Sequence, residues 1–575
     1  GAGWPDSCSL LSCRFGDSQE LGDQGGYNMK TLMGWLTISV FLVGCASTSA
    51  GSSLCEAGAS QACTCESDRP GAQSCATDGS QWNDCECTSA DVGSDADAGQ
   101  DTTTPPINTG LIESWSVEAN PNSTLSALVT ATTMEPARVS VLFSRPGQEP
   151  TQTGQTPAGT DHAITVVGMR AETGYELILV AETADPVQEG GSVSTLFTTG
   201  ALPSAMPEYS VTVHDANKVQ PGTTLFGVGR MGDDIDTTTP LYLGVDEEGE
   251  VVWYYQDTTA KNNHMDREAR LLSDGNIQIN LQGEFRIIDL AGNTVASFKG
   301  GPNVGGPVHH DAAVLPNGNA LILANEIVSA DVPELGGAVD LKADRIVEMT
   351  PDGTVVWEWH AADHLDTTRF PGALSKKKGK QSTAYDWSHA NALFYNDGDD
   401  SMLVSVRHQN WVVNISHATG EVLWSLGDGG DFALEGIGSL WFYSQHDPRW
   451  LTDGTLLVYD NGNERPDTAT PYSRAARYTV NVETMTAKEI WSYTTETYTN
   501  FLGGAKLLPN GNVLVCAGGI QGKKEPGSPP GPAPPGDGTI IEVTGDQPAE
   551  KIWELTAKGA LYRATRLQSF WIEEE

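Results

Sequence analysis

Positive charge is what this chain of 575 residues has least of: 33 Lys and Arg stand against 75 Asp and Glu, a formal net charge of −42. That balance excludes nucleic acid and anionic membrane surfaces as partners, because holding phosphate needs a basic footprint. An anionic small molecule would have to be held by a few local cations. Cysteine is missing from Cys87 to Cys516, so no disulfide stiffens the stretch between them, and no two cysteines are adjacent anywhere. A long helical bundle is excluded by 63 Gly and 31 Pro set among short β-rich runs, which point instead to a turn-dense, all-β protein.

What is there divides into segments. Met29-Lys30 followed by the apolar TLMGWLTISVFLVG has the charged start and short apolar core of a signal peptide. LVGC, ending at Cys45, resembles a bacterial lipobox, which implies cleavage before Cys45 and lipidation of its thiol; a plain secretory signal is the other reading. Residues 1–44 are then an upstream extension and signal, and the mature chain is exported. It is expected in the periplasm or at the cell surface of a bacterium, touching membrane only through a lipid anchor. In residues 45–89, Cys55, Cys63, Cys65, Cys75, Cys85 and Cys87 crowd a stretch too polar to build a core, as three disulfides of open connectivity would allow. Zinc is the competing reading, but the cluster contains no histidine. Cys516 stands alone and reads as a buried apolar residue. Residues 90–110 have the acidic, small-residue composition of a linker. Residues 111–205 carry short alternating runs such as ARVSVLFS and GYELILVAE, as in a β-sandwich of fibronectin type III kind.

Residues 207–575 repeat themselves. One recurring unit is an apolar run through an Asn-Gly or Asp-Gly turn, as in RLLSDGNIQI, AVLPNGNALIL, RWLTDGTLLVY and KLLPNGNVLV; the other ends on an aromatic, at Trp253, Phe298, Trp357, Trp424, Trp491 and Trp553. Two hairpins per unit make four antiparallel strands, and six units predict a six-bladed β-propeller. In such a blade the first strand is innermost, so residues at its start share one mouth. His310 lies five residues before Leu315, His389 five before Phe394 and His446 five before Leu451. Hairpin pairing across Asp397–Gly398 brings Arg407 to the same rim, and Asn391 shares a face with His389. Convergent imidazoles suit a metal, but Arg407 would repel a cation. A pocket for a tetrahedral oxyanion fits the guanidinium fork better.

The motifs HHDAAVLPNGNALIL, WSHANALFYNDGDDSMLVSVRHQNWVVNI, TGEVLWSLGD and QHDPRWLTDGTLLVYDNG resemble the bacterial arylsulfate sulfotransferase family, from about Val211 to ALYRATRLQSFW. The resemblance implies a six-bladed propeller that moves a sulfuryl group from a phenolic sulfate to another phenol without a nucleotide sulfate donor. It implies His446 as the nucleophile that is transiently sulfated, with His389, Asn391 and Arg407 holding the sulfuryl oxygens and His310 completing the site. His309 leaves that register open by one. Sulfuryl transfer spreads charge over equatorial oxygens and needs cationic donors, so no metal or cofactor is required. Trp387 and Tyr443 are candidates to flank a phenyl ring, and the lysines of SKKKGK offer a basic lip. The alternatives are a quinoprotein-like propeller, suggested by TGEVLW but lacking an adjacent cysteine pair, and a non-catalytic binding propeller.

Overall fold

A computed structural model describes residues 110–571 apart from 184–186, 188, 205, 230–240, 258–266, 282, 379–382, 467, 469 and 520–536, together with strands at 60–64, 70–74 and 86–87. Two compact units result, Gly1–Thr103 and Thr104–Glu575. In the first, Ser60–Thr64, Pro70–Ser74 and Glu86–Cys87 form an antiparallel sheet. The signal run, Cys45, the cysteine side chains from 55 to 87, the linker at 90–109 and the QGKKEP loop lie outside the described residues.

The second unit is all-β apart from short helical turns among the described residues. Its N-terminal part is built on the 18-residue strand Ala127–Ser144, whose first half pairs Ile112–Ala119 and Gly159–Val166 and whose second half pairs Gly174–Thr183. The change of partners falls where the register with Gly159–Val166 shifts, between Thr132 and Ala137. Pro136 sits there, and having no N–H it cannot continue a ladder. Alternating Val129, Val139, Val141, Leu177 and Leu179 fill the core on one face.

Six sheets follow in chain order, each built on four antiparallel strands, the third and fifth adding a short parallel strand, Tyr385–Asp386 and Ala433–Glu435. Val308–Val314, Ala320–Val332, Gly337–Met349 and Val355–His360 make the third; Ala390–Asn396, Ser401–Val406, Trp411–Ser416 and Val422–Gly427 make the fourth. Asp-Gly and Asn-Gly close first hairpins at Gly275, Gly318, Gly454 and Gly511, each with φ between 77° and 88°, a left-handed conformation glycine adopts without Cβ strain. The first sheet takes one edge strand, Ala560–Leu567, from the C-terminal end of the region, and the last takes one edge strand, Tyr209–His214, from its start. The two ends of the region are thus sewn into each other's sheets.

One irregularity recurs in the last strand pair of all six sheets. The register slips by one residue, leaving Val252, Val295, Val356, Leu423, Ile490 and Ile552 unopposed. In five sheets the next residue is the expected tryptophan. In the second sheet it is Ala296, and the aromatic expected to end that unit, Phe298, stands two residues further along the same face, opposite Phe285. The extra residue of a bulge is left unpaired by the ladder; Val295, Val356, Leu423 and Ile490 are exposed at these positions, whereas Val252 and Ile552 are buried.

The first strands of the sheets meet through charge. Arg563, fully buried on the C-terminal strand, lies 2.8 Å from both Glu268 and Asp311 and donates to the Asn391 carbonyl at 2.9 Å. Asp311 also accepts from Arg270 (3.0 Å) and from the Leu393 N–H (3.0 Å). Asn391 donates to the Gln445 carbonyl, and Asp447 is held by Lys506 at 2.7 Å. Burial alone would raise the Asp311 carboxyl, but Arg563, Arg270 and Arg449 bring it down to about 2. Replacing Arg563 by Met removes a cation that Glu268 and Asp311 share and leaves both buried carboxylates to Arg270. The expected loss is ~3–5 kcal/mol, read from urea unfolding of the full chain; a loss under ~1 kcal/mol would show that the network does not hold the strands.

Candidate active site

At the rim above this network the chain leaves ordinary strand geometry. His310 and His389 have φ of 57° and 51°, and Asp447, next to His446, has 51°. Left-handed backbone is costly for residues with a Cβ and persists where the surroundings hold it. His310 and Asp447 fall within register shifts, at Val308/Ala312 and His446/Arg449, and His389 stands one residue before the shift at Ala390/Ala392. Convergence therefore comes from a bulge at the start of each inner strand. The equal spacing of five residues holds for His310 and His446, whose hairpins turn at Leu315 and Leu451. It does not hold for His389, because the fourth sheet's first hairpin turns at residues 397–400, beyond Phe394.

Four imidazoles stand in a row. Ring centroids of His309 and His310 are 5.0 Å apart, of His310 and His389 5.3 Å, and of His389 and His408 4.4 Å. Tyr562 stacks on His310 at 6.2 Å. His309 turns to Asp344, its Nε2 3.1 Å from Oδ1, so His310 is the one that faces His389. His389 Nδ1 is 2.7 Å from Asp386 Oδ2. Across the hairpin, Arg407 is buried; its Nη1 donates to His408 Nε2 (2.7 Å) and its Nη2 to the Asn500 carbonyl (2.9 Å), while Nε is buried without a partner. Accepting from Arg407 leaves His408 its Nδ1–H, which donates to the Asp386 carbonyl at 2.5 Å.

His446 is buried, and its Nδ1 is 2.6 Å from Asn461 Oδ1. Burial first, then Arg407 and, more weakly, His310 and Arg563, hold its pKa well below the ordinary imidazole value against the opposing Asn461 bond. His446 is thus a neutral base beside a guanidinium. Arg407 is itself lowered to about 10 by burial and remains charged at neutral pH. Asp386, His389 and His408 have ligand atoms within 4.8 Å of one another, the described cluster that could hold a metal ion. Its donors are already engaged with each other and with Arg407, whose charge opposes a cation.

Among the other expected residues, Asn391 lies in the site with Oδ1 buried and without a partner. Trp387 does not line it: fully buried between the third and fourth sheets, its indole donates to the Arg369 carbonyl. Tyr443 commits its hydroxyl to Asp428 (3.0 Å). Lys376 pairs with Glu334 and Lys378 lies over the Tyr385 ring, so neither is a free cation at a lip. Sequence reasoning passed over Asp386, His408, Asn461, Tyr562 and the 499–502 segment. Only Asp386, three residues before His389, and Asn461, closing the strand opposite His446, had a signal in local spacing.

Residues 208–563 match the family described as Arylsulfotransferase (ASST). The chain is 25% identical over 320 residues to "Arylsulfate sulfotransferase AssT" of Escherichia coli O6:H1, and 26% identical over 321 residues to the protein of that name from Lelliottia amnigena; each alignment covers 44% of this chain and 52% of the relative. The chain thus spans about half the length of the curated relatives it matches. Similar solved structures include a luciferin-regenerating enzyme (TM-score 0.32, 12% identity, 64% of this chain and 100% of that one) and the Kuenenia stuttgartiensis hydrazine synthase (TM-score 0.29, 10% identity, 52% and 68%).

His309, His389, His408 and His446 are all lowered from 6.5, burial being the largest cause in each. Below 6.5 the unfolded chain takes up protons that these folded imidazoles refuse. Their contribution is complete above the ordinary value and is lost as pH falls through the folded ones. The urea midpoint is expected to be level from about pH 8 to 7 and to fall below about 6.5, with a shallower fall in His408→Gln. A midpoint level down to pH 5 in both proteins would contradict neutral burial.

Proposed function

The chain belongs to the arylsulfotransferase family, and on that premise we propose that it moves a sulfuryl group from a phenolic sulfate ester to an acceptor phenol through a sulfated His446, with no nucleotide sulfate donor. The observation that carries the reading is a buried, neutral imidazole set beside a buried arginine in a protein of net charge −42. A neutral imidazole is a competent nucleophile, and an arginine fork with an open N–H suits the equatorial oxygens of a transferring sulfuryl group.

In the first half-reaction the His446 lone pair forms the N–S bond while the ester S–O bond breaks and its electron pair leaves on the phenolate oxygen. His389 serves as the acid for that oxygen once its ring has taken up a second proton, which Asp386 2.7 Å away steadies against the cost of burial. In the second, the acceptor phenol returns a proton to His389, its oxygen forms the new S–O bond, and the N–S pair goes back to His446. Arg407 and Asn391 hold the sulfuryl oxygens throughout, and His310 fixes the plane of His389 from the opposite side. Donor and acceptor use one site in turn, which gives ping-pong kinetics.

The scaffold in this reading is a six-bladed propeller, one blade per sheet, closed by the C-terminal strand and preceded by a fibronectin III-like sandwich. Support comes from the six equivalent bulges and from the charged cluster that joins the first strands. The protein is exported and anchored through Cys45.

The test is mass spectrometry after incubation with an aryl sulfate and no acceptor. A sulfuryl adduct on the peptide holding His446, labile in acid and discharged by added phenol, is expected, together with phenol-stimulated release of the donor's phenol. His446→Asn is expected to abolish both half-reactions; full turnover by that variant would rule out His446 as the nucleophile. Arg407→Lys keeps the charge but loses the fork, and kcat/KM is expected to fall about 100-fold or more.

A further inference from the structure

The Asn461 carboxamide has one orientation open to it. Its Nδ2 donates to the carbonyls of Thr499 (2.9 Å) and Leu502 (2.8 Å), and backbone carbonyls accept only. Oδ1 is therefore the atom 2.6 Å from His446 Nδ1, and because oxygen accepts, Nδ1 must carry the hydrogen. Ser473 braces the arrangement, its hydroxyl lying 2.9 Å from the Asn461 carbonyl and 3.0 Å from that of Thr499. Every member of this set is at most a few per cent exposed: Asn461, Ser473 and Thr499 at 0%, His446 at 2%, Leu502 at 3%. In a ring with one proton, held on Nδ1, the lone pair stands on Nε2.

We propose that Asn461 is the positioning residue that fixes His446 as the Nδ1–H tautomer and, being an amide rather than a carboxylate, keeps that proton on the ring through both half-reactions. The inference rests on the sulfuryl-transfer reading for its second part alone. When Nε2 takes the sulfuryl group, the ring gains a positive charge while Nδ1–H stays in place. In that form it leaves sulfur as a neutral imidazole, a good leaving group. A carboxylate at 461 would draw the Nδ1 proton onto itself, and the ring would then have to leave as an imidazolate, which is far more basic. An aspartate would thus help attack and hinder discharge.

The tautomer is read on the substrate-free full chain by nitrogen NMR of 15N-histidine-labelled protein, with His446 assigned by its absence in His446→Asn. One protonated nitrogen at Nδ1 and one bare nitrogen at Nε2, unchanged from about pH 8 to 6, are expected; a hydrogen on Nε2, or an imidazolium that titrates in that range, would overturn the proposal. Asn461→Asp and Asn461→Leu are then compared by rapid mixing with an aryl sulfate, following phenol release and discharge separately. In Asn461→Asp the first burst is retained, discharge slows about tenfold or more so that sulfated enzyme accumulates, and discharge recovers as pH is lowered. In Asn461→Leu kcat falls about 10- to 100-fold with KM changed less than about threefold. Equal loss of both half-reactions in Asn461→Asp, with no recovery at low pH, would assign Asn461 a merely structural role. Absence of any sulfated protein in the wild type would defeat the transfer reading, whereas the NMR result stands or falls without substrate.

Discussion

Convergence in this molecule runs through Arg563. The residue comes from the last strand, Ala560–Leu567, yet it sits on an edge strand of the first sheet and binds Glu268, Asp311 and the Asn391 carbonyl at once. Taking such charges out of water costs several kcal/mol per ion, offset only when the geometry is good and the remaining donors and acceptors are satisfied. An apolar plug would close the centre at lower cost. What charge adds is register: the partners belong to different strands, so a slip of one residue in any of them would bury an unpaired ion. We read the network as the device that sets where each inner strand begins, and the rim residues inherit their positions from it.

That inheritance is direct. Asp311 follows His310, Asp447 follows His446, and Asn391 lies two residues after His389. Each histidine strand is thus pinned to the central cluster within two residues of its imidazole, and the left-handed residue is the ring's own, at His310 and His389, or the pin's, at Asp447. Backbone strain of this sort is tolerable where both sides are held. The cations also explain how a strongly acidic chain keeps a basic centre. Arg270, Arg449, Lys506 and Arg563 outnumber the carboxylates Glu268, Asp311 and Asp447, and Arg407 adds a further charge at the rim.

Much of this architecture was legible because repetition writes the same physical need many times. Turn glycines and the aromatic after a bulged aliphatic recur, so the number of sheets and their four-strand make-up could be read. Where a unit departs from the repeat, the reading slipped. Phe298 took the place of a residue that is Ala296, and Phe394 was taken as the start of a turn that comes three residues later. Trp387 was read as a ligand wall because it lies two residues before His389, a spacing that would put both on one face of an extended strand; but His389 is left-handed, with φ of 51°, which breaks that alternation, and Trp387 points into the core. The 499–502 segment, which supplies carbonyls to both Arg407 and Asn461, had no signal, since its contribution is backbone and any sequence has carbonyls.

The imidazoles are alike in sequence and differ in what stands behind them. His309 has the carboxylate of Asp344 and His389 that of Asp386, so either ring can be steadied if it takes a second proton. His408 accepts from Arg407 and is thereby barred from taking one. His446 alone in this group rests on a neutral amide, and the arginines whose charge acts on it, Arg407 and Arg563, both disfavour a second proton. A ring so placed holds a lone pair and resists protonation, while one backed by a carboxylate carries a proton to and fro. The difference between a ring that keeps a lone pair and a ring that can be steadied as a cation is therefore present in the partners of the rings, and it follows from which neighbour is charged.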